Sequence, residues 1–499
     1  MTATAPPATP APEVLTGTPA AATSAPGLPP LVVDLDGTLI QTDLLFESLW
    51  RALAQGPRAA LAFAGQAVRG RAALKAHLAD VVSIDPAGLP YDQGVLELVR
   101  AAREAGRTTV LCTASDQKLA RGVAAHLGLF DDVHGSDGVR NLKGTNKAAF
   151  LVERFGEGGF DYVGDALADR AVWSRARAAI SIGLPAAARA GVTSAGGVVQ
   201  HIDRPGAGLK PYVKAMRPHQ WLKNILVFLP VLAAHNFTLA AWGAAMAAFI
   251  AFSLVASSVY FANDMLDLDA DRAHPRKRNR PFAAGTASLA VGTVMTVLLL
   301  LAGFGIGLLV GEPRFLAVLG FYFVLTTAYS LSLKRKLVID ICTLAGLYTL
   351  RVIAGAAATG VPLSEWLLGF SVFFFLSLAA VKRQAELVDG LASGRSAAAG
   401  RAYRTDDLPI VSQMAIAAGY AAVLEFALYL NSSNVLKLYH SPKFLWGISP
   451  VLLFWISRMV MRAHRGGMTD DPIIFAVRDR ISHYCGAIIL GLVLAAALT

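Results

Sequence analysis

The second half of this chain is a succession of apolar runs, each about as long as a bilayer is thick. A helix needs roughly 20 apolar residues to cross a hydrocarbon core. Runs of that kind can be placed near 219–235, 239–261, 287–310, 315–333, 337–358, 364–381, 410–430, 444–461 and 482–499. Only helices and closed barrels satisfy their backbone inside lipid. Nine such runs therefore predict an all-α transmembrane bundle over about 214–499. The first run is the weakest, because Lys223 and Asn224 interrupt it.

Charge follows the same alternation. Arg272, Arg276, Lys277, Arg278 and Arg280 follow the second run, and Lys334, Arg335 and Lys336 the fourth. Lys382, Arg383, Arg395, Arg401 and Arg404 follow the sixth, and Arg462, Arg465, Arg478 and Arg480 the eighth. The odd-numbered connections hold few cations. The positive-inside rule then predicts a cell (inner) membrane protein with a cytoplasmic N-terminus and an outside C-terminus. The net charge of +10 thus reads as membrane topology, and nucleic acid is excluded as a partner.

Residues 30–200 have a different texture. The first 28 residues are rich in Ala, Pro and Thr with no Lys or Arg, which reads as a disordered tail rather than a signal peptide. Beyond it, Leu31-Val-Val-Asp34-Leu-Asp36-Gly37-Thr38 is an apolar strand ending in two carboxylates and a turn. Thr109–Thr113 is a second strand and Phe160–Gly164 a third, with helices expected over Gln93–Ala105 and Lys147–Phe155. This alternation predicts a parallel, doubly wound α/β sheet over 29–195, with a small helical cap at about 44–90. Residues 196–213 read as the link to the bundle. Cys112, Cys342 and Cys485 lie far apart in apolar surroundings and imply neither disulfides nor zinc.

Two constellations carry chemistry. At the end of the second run stands Asn263-Asp264-x-x-Asp267-x-x-x-Asp271. Carboxylates are costly at a membrane and mark function. At helical spacing Asp264, Asp267 and Asp271 share a face, while Asp269 points elsewhere. Such a row suits Mg²⁺, which in turn holds a diphosphate. In the soluble half, Asp34 and Asp36, then Thr113, then a lysine, then Gly164-Asp165-x-x-x-Asp169 follow one another at strand ends, where ligands bind in open α/β sheets.

The acidic motif on the second of nine helices resembles the UbiA superfamily of membrane prenyltransferases, over about 210–499. Arg217-Pro-His-Gln-Trp-Leu-Lys223-Asn224, Tyr329-Ser-Leu-Ser-Leu-Lys334, Asp340 and Leu350-Arg351-Val-Ile-Ala-Gly355 look like its polyprenyl-phosphate phosphoribosyltransferase branch. The soluble set is similar to the haloacid dehalogenase superfamily of phosphotransferases, a Rossmann-like α/β fold.

The first resemblance implies transfer of phosphoribose from phosphoribosyl pyrophosphate to a polyprenyl phosphate. That is a step toward lipid-linked pentose donors of cell envelopes. Mg²⁺ would be held by Asn263, Asp264, Asp267 and Asp271. The phosphates would be met by Lys223, Arg278, Lys334, Arg351 and Lys382, with Asn224, Tyr329 and Asp340 as further substrate-binding candidates. Aromatic prenyltransferases usually carry a second Asp-rich motif after the sixth helix. Here Lys382-Arg383-Gln-Ala-Glu386 stands in its place and favours a second anion.

The second resemblance implies Asp34 as nucleophile, Asp36 as general acid/base, Thr113 as a phosphoryl contact, and Lys143 (or Lys147) as the neutralising cation. Asp165 and Asp169 would hold Mg²⁺ together with Asp34. Ser115 and Asp116 are expected chiefly to start a helix. The joined halves suggest that the hydrolase removes the 5-phosphate of the lipid product. The alternatives are prenyl transfer to an aromatic acceptor, a lipid carrier, and a soluble half that acts on another metabolite or only regulates. Homo-oligomerisation is compatible with the sequence.

Overall fold

The structure, a computed structural model of the chain, describes residues 28–56, 78, 80–137, 140–204, 208–394, 401–432, 435, 438–468 and 471–498. The expected N-terminal tail and much of the expected cap lie outside the described residues. The chain forms two units, Met1–Ser48 with Pro57–Gly206, and Leu49–Gly56 with Ala207–Thr499.

In the first unit, six parallel strands stand in the order β3-β2-β1-β4-β5-β6. They are β1 Leu31–Val33, β2 Thr109–Asp116, β3 Asp132–Ser136, β4 Asp161–Gly164, β5 Ala178–Ile182 and β6 Val198–Ile202. β1 and β4 are buried throughout; β1 is an unbroken apolar run, and the buried Asp161 that opens β4 is paired with Arg107 and Arg177. Helices α1 Gln93–Glu104, α2 Gln117–Leu127 and α3 Thr145–Phe155 connect the strands. Asp92 caps α1 and Asp116 caps α2, each accepting a backbone N–H near the helix start. The strand order reverses at β1, and ligands bind outside the carboxyl ends of strands at such a switch point. Asp34 and Asp165 follow β1 and β4 there. The sheet runs on to Ile202, into the stretch expected to be the link, because β6 pairs along its whole length with β5. Within the expected cap, Leu44–Ala54 is helical.

In the second unit, eight helices among the described residues are long and apolar enough to cross a membrane. They contain α4 Leu239–Leu266, α6 Leu289–Val310, α7 Pro313–Leu331, α8 Ile339–Thr359, α9 Glu365–Ala392, α10 Leu408–Tyr429, α11 Ile448–His464 and α12 Arg480–Leu498, with the short α5 Leu268–Ala273 after α4. Outward leucines such as Leu301, Leu309 and Leu424 stay exposed, as faces turned to lipid would.

The count corrects the expectation of nine. Pro218–Phe228 winds as a 3₁₀-helix and Leu229–Ala233 as a short α-helix. Pro230 withholds a backbone donor inside this run. Lys223 and Asn224 are drawn sideways to Asp471 and Arg351. Gly355 of α8 meets this segment so closely that a Cβ there would sit 1.9 Å from the Val227 carbonyl oxygen. Only glycine permits that approach.

Candidate active sites

The first site lies at the strand ends of the α/β unit. Asp34, Asp165 and Asp169 each present an oxygen within 4.8 Å of the others. Gly37, at φ +73°, makes room for them, since a Cβ would fall 2.2 Å from Asp165 Oδ2. Lys147 Nζ stands 3.0 Å from Asp34 and 3.8 Å from Asp169. It also donates to the Tyr162 hydroxyl at 2.8 Å, which donates in turn to Asp169 at 3.0 Å. Despite its burial, Lys147 is held above its ordinary range by Asp34 and Asp169.

This corrects the choice of lysine. α3 starts at Thr145, after Gly144 at φ +56°, and its first turn carries Lys147 inward. Lys143 precedes the helix and is exposed.

Asp36 accepts the Leu44 N–H at 2.8 Å and the Ser115 hydroxyl at 2.5 Å, with Thr113 Oγ1 at 3.4 Å. Burial, then the Asp43 carboxylate, pushes Asp36 up to about 7. Burial, then Asp34, pushes Asp165 to about 7 and Asp169 to about 6. Asp116 caps α2 as expected, whereas Ser115 faces Asp36. The constellation can present one carboxylate as nucleophile, a second as proton carrier, and a lysine to neutralise a phosphoryl group. Its oxygen-rich trio fits a hard divalent cation.

The second site is a cavity of about 800 Å³ in the helical unit. Seven Arg and Lys line it (Arg217, Lys223, Arg280, Arg351, Lys382, Arg401 and Arg478) against two carboxylates, Glu386 and Asp471. Asn263, Tyr260, Tyr322, Tyr329 and Tyr348 complete much of its wall.

The acidic row is not on one continuous helix. α4 ends at Leu266, Asp267 takes φ −100° and ψ 18°, and α5 starts at Leu268. Asp264 and Asp271 nonetheless converge on one nitrogen: Arg280 Nη1 lies 3.1 Å from the first and 2.7 Å from the second. Arg217 also pairs with Asp264, and Lys334 stands 3.5 Å from Asp267. Asp269 is turned away and pairs with Arg51. Carboxylates meeting around one cationic nitrogen are a donor set that fits a metal ion. Arg280 thus takes the place expected of Arg278, which is exposed two residues earlier. Asn263 lines the cavity and donates to Ser330 at 2.9 Å.

Of the other expected residues, Lys223, Lys382, Arg351 and Tyr329 line the cavity, while Asn224 supports it from behind. Asn224 donates to Ser253 at 2.9 Å and accepts from Arg351 at 2.8 Å. Asp340 is wholly buried behind the wall. It meets Arg383 at 2.6 Å and Arg401 at 3.0 Å and accepts from the Tyr329 hydroxyl at 2.8 Å. Arg383 also pairs with Glu386.

Asp471 was missed by sequence reasoning. It accepts from Lys223 at 2.5 Å, Lys382 at 3.5 Å and Tyr348 at 3.1 Å. Burial would raise it, but the two lysines hold it well below the carboxylate range. Asp471-Pro472 does carry a helix-start signal, and Asp471 accepts the Ile473 N–H at 3.1 Å. Nothing local tied that cap to a cavity.

These sites define an integral membrane transferase joined to a hydrolase of the phosphotransfer type. The chain belongs to the UbiA prenyltransferase family, whose model matches residues 224–475, and the haloacid dehalogenase-like hydrolase model matches residues 31–172. An uncharacterized protein of Sinorhizobium fredii, y4nM, is 38% identical over 92% of this chain and 89% of its own length. A decaprenyl-phosphate phosphoribosyltransferase of Mycobacterium tuberculosis is 34% identical over 56% of this chain and 92% of its own. A solved UbiA homolog from Archaeoglobus fulgidus, bound to GPP and Mg²⁺, is 15% identical with a TM-score of 0.43, over 57% of this chain and 99% of that one. The protein is therefore a multi-pass membrane enzyme with a UbiA-type transferase domain and a haloacid dehalogenase-like hydrolase domain.

Proposed function

We propose that the helical unit transfers 5-phosphoribose from phosphoribosyl pyrophosphate to a polyprenyl phosphate, and that the α/β unit then removes the 5-phosphate. The observation that carries the reading is the cavity lining, seven cations against two carboxylates. A donor with three phosphates and an acceptor with a fourth need such a surround. A prenyl diphosphate meeting an aromatic acceptor brings half that number. The M. tuberculosis relative supports the same choice.

Asp264, Asp267 and Asp271 would hold Mg²⁺, which supplies a Lewis acid for the departing diphosphate. Arg217 and Arg280, already at the acidic row, meet negative charge as it grows on the leaving group. The C1–O bond to the diphosphate breaks, and a new C1–O bond forms to an oxygen of the lipid phosphate. The acceptor is already an anion, so no strong base is needed. Positioning and fixed charge carry the step.

In the α/β unit, Asp34 attacks the 5-phosphate, and Asp36 gives a proton to the departing sugar oxygen. Lys147 neutralises the phosphoryl oxygens, and Thr113 offers a hydroxyl. Water then releases inorganic phosphate. Asp34, Asp165 and Asp169 would hold a second Mg²⁺ there. The basic connections favour a cytoplasmic hydrolase, on the side where soluble phosphorylated donors are found.

The test is mass spectrometry of lipids after incubating the full chain with Mg²⁺, phosphoribosyl pyrophosphate and a polyprenyl phosphate. A lipid heavier by ribose supports both steps. A gain of phosphoribose supports the transfer and gives the hydrolase another substrate. No product refutes the transfer and turns attention to prenyl diphosphate donors.

A further inference from the structure

The cations of the cavity are not evenly compensated. At the acidic row Arg217, Arg280 and Lys334 face Asp264, Asp267 and Asp271, charge for charge. Around the buried Asp340, Arg383 and Arg401 face Asp340 and Glu386, again in balance. The third cluster differs. Lys223 and Lys382 meet Asp471, and Arg351 lines the same cavity bonded to the neutral groups of Asn224, Leu347 and Tyr322, which leaves a formal excess of two positive charges among these described contacts.

Within that cluster the roles divide. Each nitrogen of Arg351 is engaged with the protein: Nε with Asn224 at 2.8 Å, Nη2 with the Tyr322 hydroxyl at 3.1 Å, and Nη1 with the Leu347 carbonyl. Arg351 is therefore fixed charge in the wall. Lys223 and Lys382 instead share one oxygen of Asp471, at 2.5 and 3.5 Å. Each ammonium carries three donors, so both keep donors for a ligand. Tyr348 and the Ile473 N–H hold the Asp471 carboxylate still, at 3.1 Å each.

We propose that Lys223 and Lys382 form a subsite for a phosphomonoester dianion, with Asp471 as the positioning residue that keeps the two ammonium groups together. Near neutral pH a phosphomonoester carries about two negative charges, matching the local excess. The inference rests on the transferase reading above and adds an orientation to it. The donor's diphosphate lies at the acidic row, and its 5-phosphate lies at Lys223 and Lys382. A prenyl diphosphate has no group for this second place.

The experiment uses the full chain in nanodiscs, as wild type, Lys382→Gln and Lys382→Arg. Kinetics follow phosphoribosyl pyrophosphate and polyprenyl phosphate separately, with inorganic pyrophosphate as product inhibitor. Losing one charged contact should raise KM for phosphoribosyl pyrophosphate at least about tenfold. KM for the lipid and inhibition by pyrophosphate should stay put, and Lys382→Arg should recover part of the loss. A rise in the lipid KM instead assigns the subsite to the acceptor phosphate and overturns the proposal. Weaker pyrophosphate inhibition assigns it to the diphosphate, with the same consequence.

Binding of ribose 5-phosphate, measured by calorimetry, tests the subsite even in a chain that transfers nothing. The hydrolase site is the same in all three chains, so only the difference between them counts. A Lys382-dependent binding event supports the subsite; identical isotherms refute it. Failure of transfer with intact Lys382-dependent binding would sink the functional reading alone.

Discussion

Asp340 and Arg383 offer the sharpest test of how this bundle is held together. Both side chains are wholly excluded from solvent, and they meet at 2.6 Å. Asp340 also serves Arg401 and the Tyr329 hydroxyl, so its carboxylate ties α7, α8, α9 and the segment before α10. Asp340→Asn keeps the shape and removes the charge. Arg383 would keep only Glu386, which is partly exposed, and Arg401 would lose its carboxylate. Breaking a buried pair from one side leaves an uncompensated charge and costs about 3–5 kcal/mol. Arg383→Gln should cost a similar amount, for the mirror reason. The double variant Asp340→Asn with Arg383→Gln removes both charges and restores a neutral hydrogen-bonding pair. It should recover about 2 kcal/mol relative to the sum of the singles. Pulse proteolysis across an SDS titration, scored on the intact transmembrane fragment, reads the unfolded population without needing the α/β unit to melt with it. Single variants within about 0.5 kcal/mol of wild type would refute the assignment of this pair as a structural centre.

Other outcomes follow from the two sites. Lys147→Ala should lower phosphomonoester hydrolysis by about a hundredfold or more, while Lys143→Ala stays near wild type; the opposite ranking would reverse the choice of lysine. Asp264→Asn should abolish lipid product by mass spectrometry while the same preparation still hydrolyses a soluble phosphomonoester, so loss of both in a folded chain contradicts two separate sites. The Ser115 hydroxyl favours the charged form of Asp36, so Ser115→Ala should raise Asp36 from its value of about 7. The pH limb of hydrolysis that reports its protonated form should then move upward by about one unit, and an unmoved limb would separate Ser115 from the acid.

Much of the fold was legible because its signals are periodic or local. Unbroken apolar runs marked α4 and α6 through α12, and strands ending in Asp34, Thr113 and Asp165 marked the parallel sheet. The errors lie where a tertiary partner decides. Lys143 and Lys147 are one helical turn apart, and the start of α3 at Thr145 selects between them. Arg278 and Arg280 stand two residues apart, and only the fold shows which one meets Asp264 and Asp271. Asp471 lies far along the chain from Lys223 and Lys382, in a connection read for its basic charge. The first apolar run counted as a span by composition, yet Pro230 and the sideways pull on Lys223 and Asn224 keep it from winding as one long helix. β6 is exposed along nearly its whole length, so no buried apolar run set it apart from a link.

The contact between Gly355 and the Val227 carbonyl has a mechanical meaning. The strip that bears Lys223 rests on α8 with no cushioning side chain between them. The contact resists shear, because sliding would drive the Val227 carbonyl oxygen into the helix. A load placed on Lys223 is thereby carried into α8, the helix that also bears Tyr348 and Arg351. The acidic row has no such backing where Asp267 leaves helical geometry between α4 and α5. Closure around a ligand would thus be sought in the bend between α4 and α5.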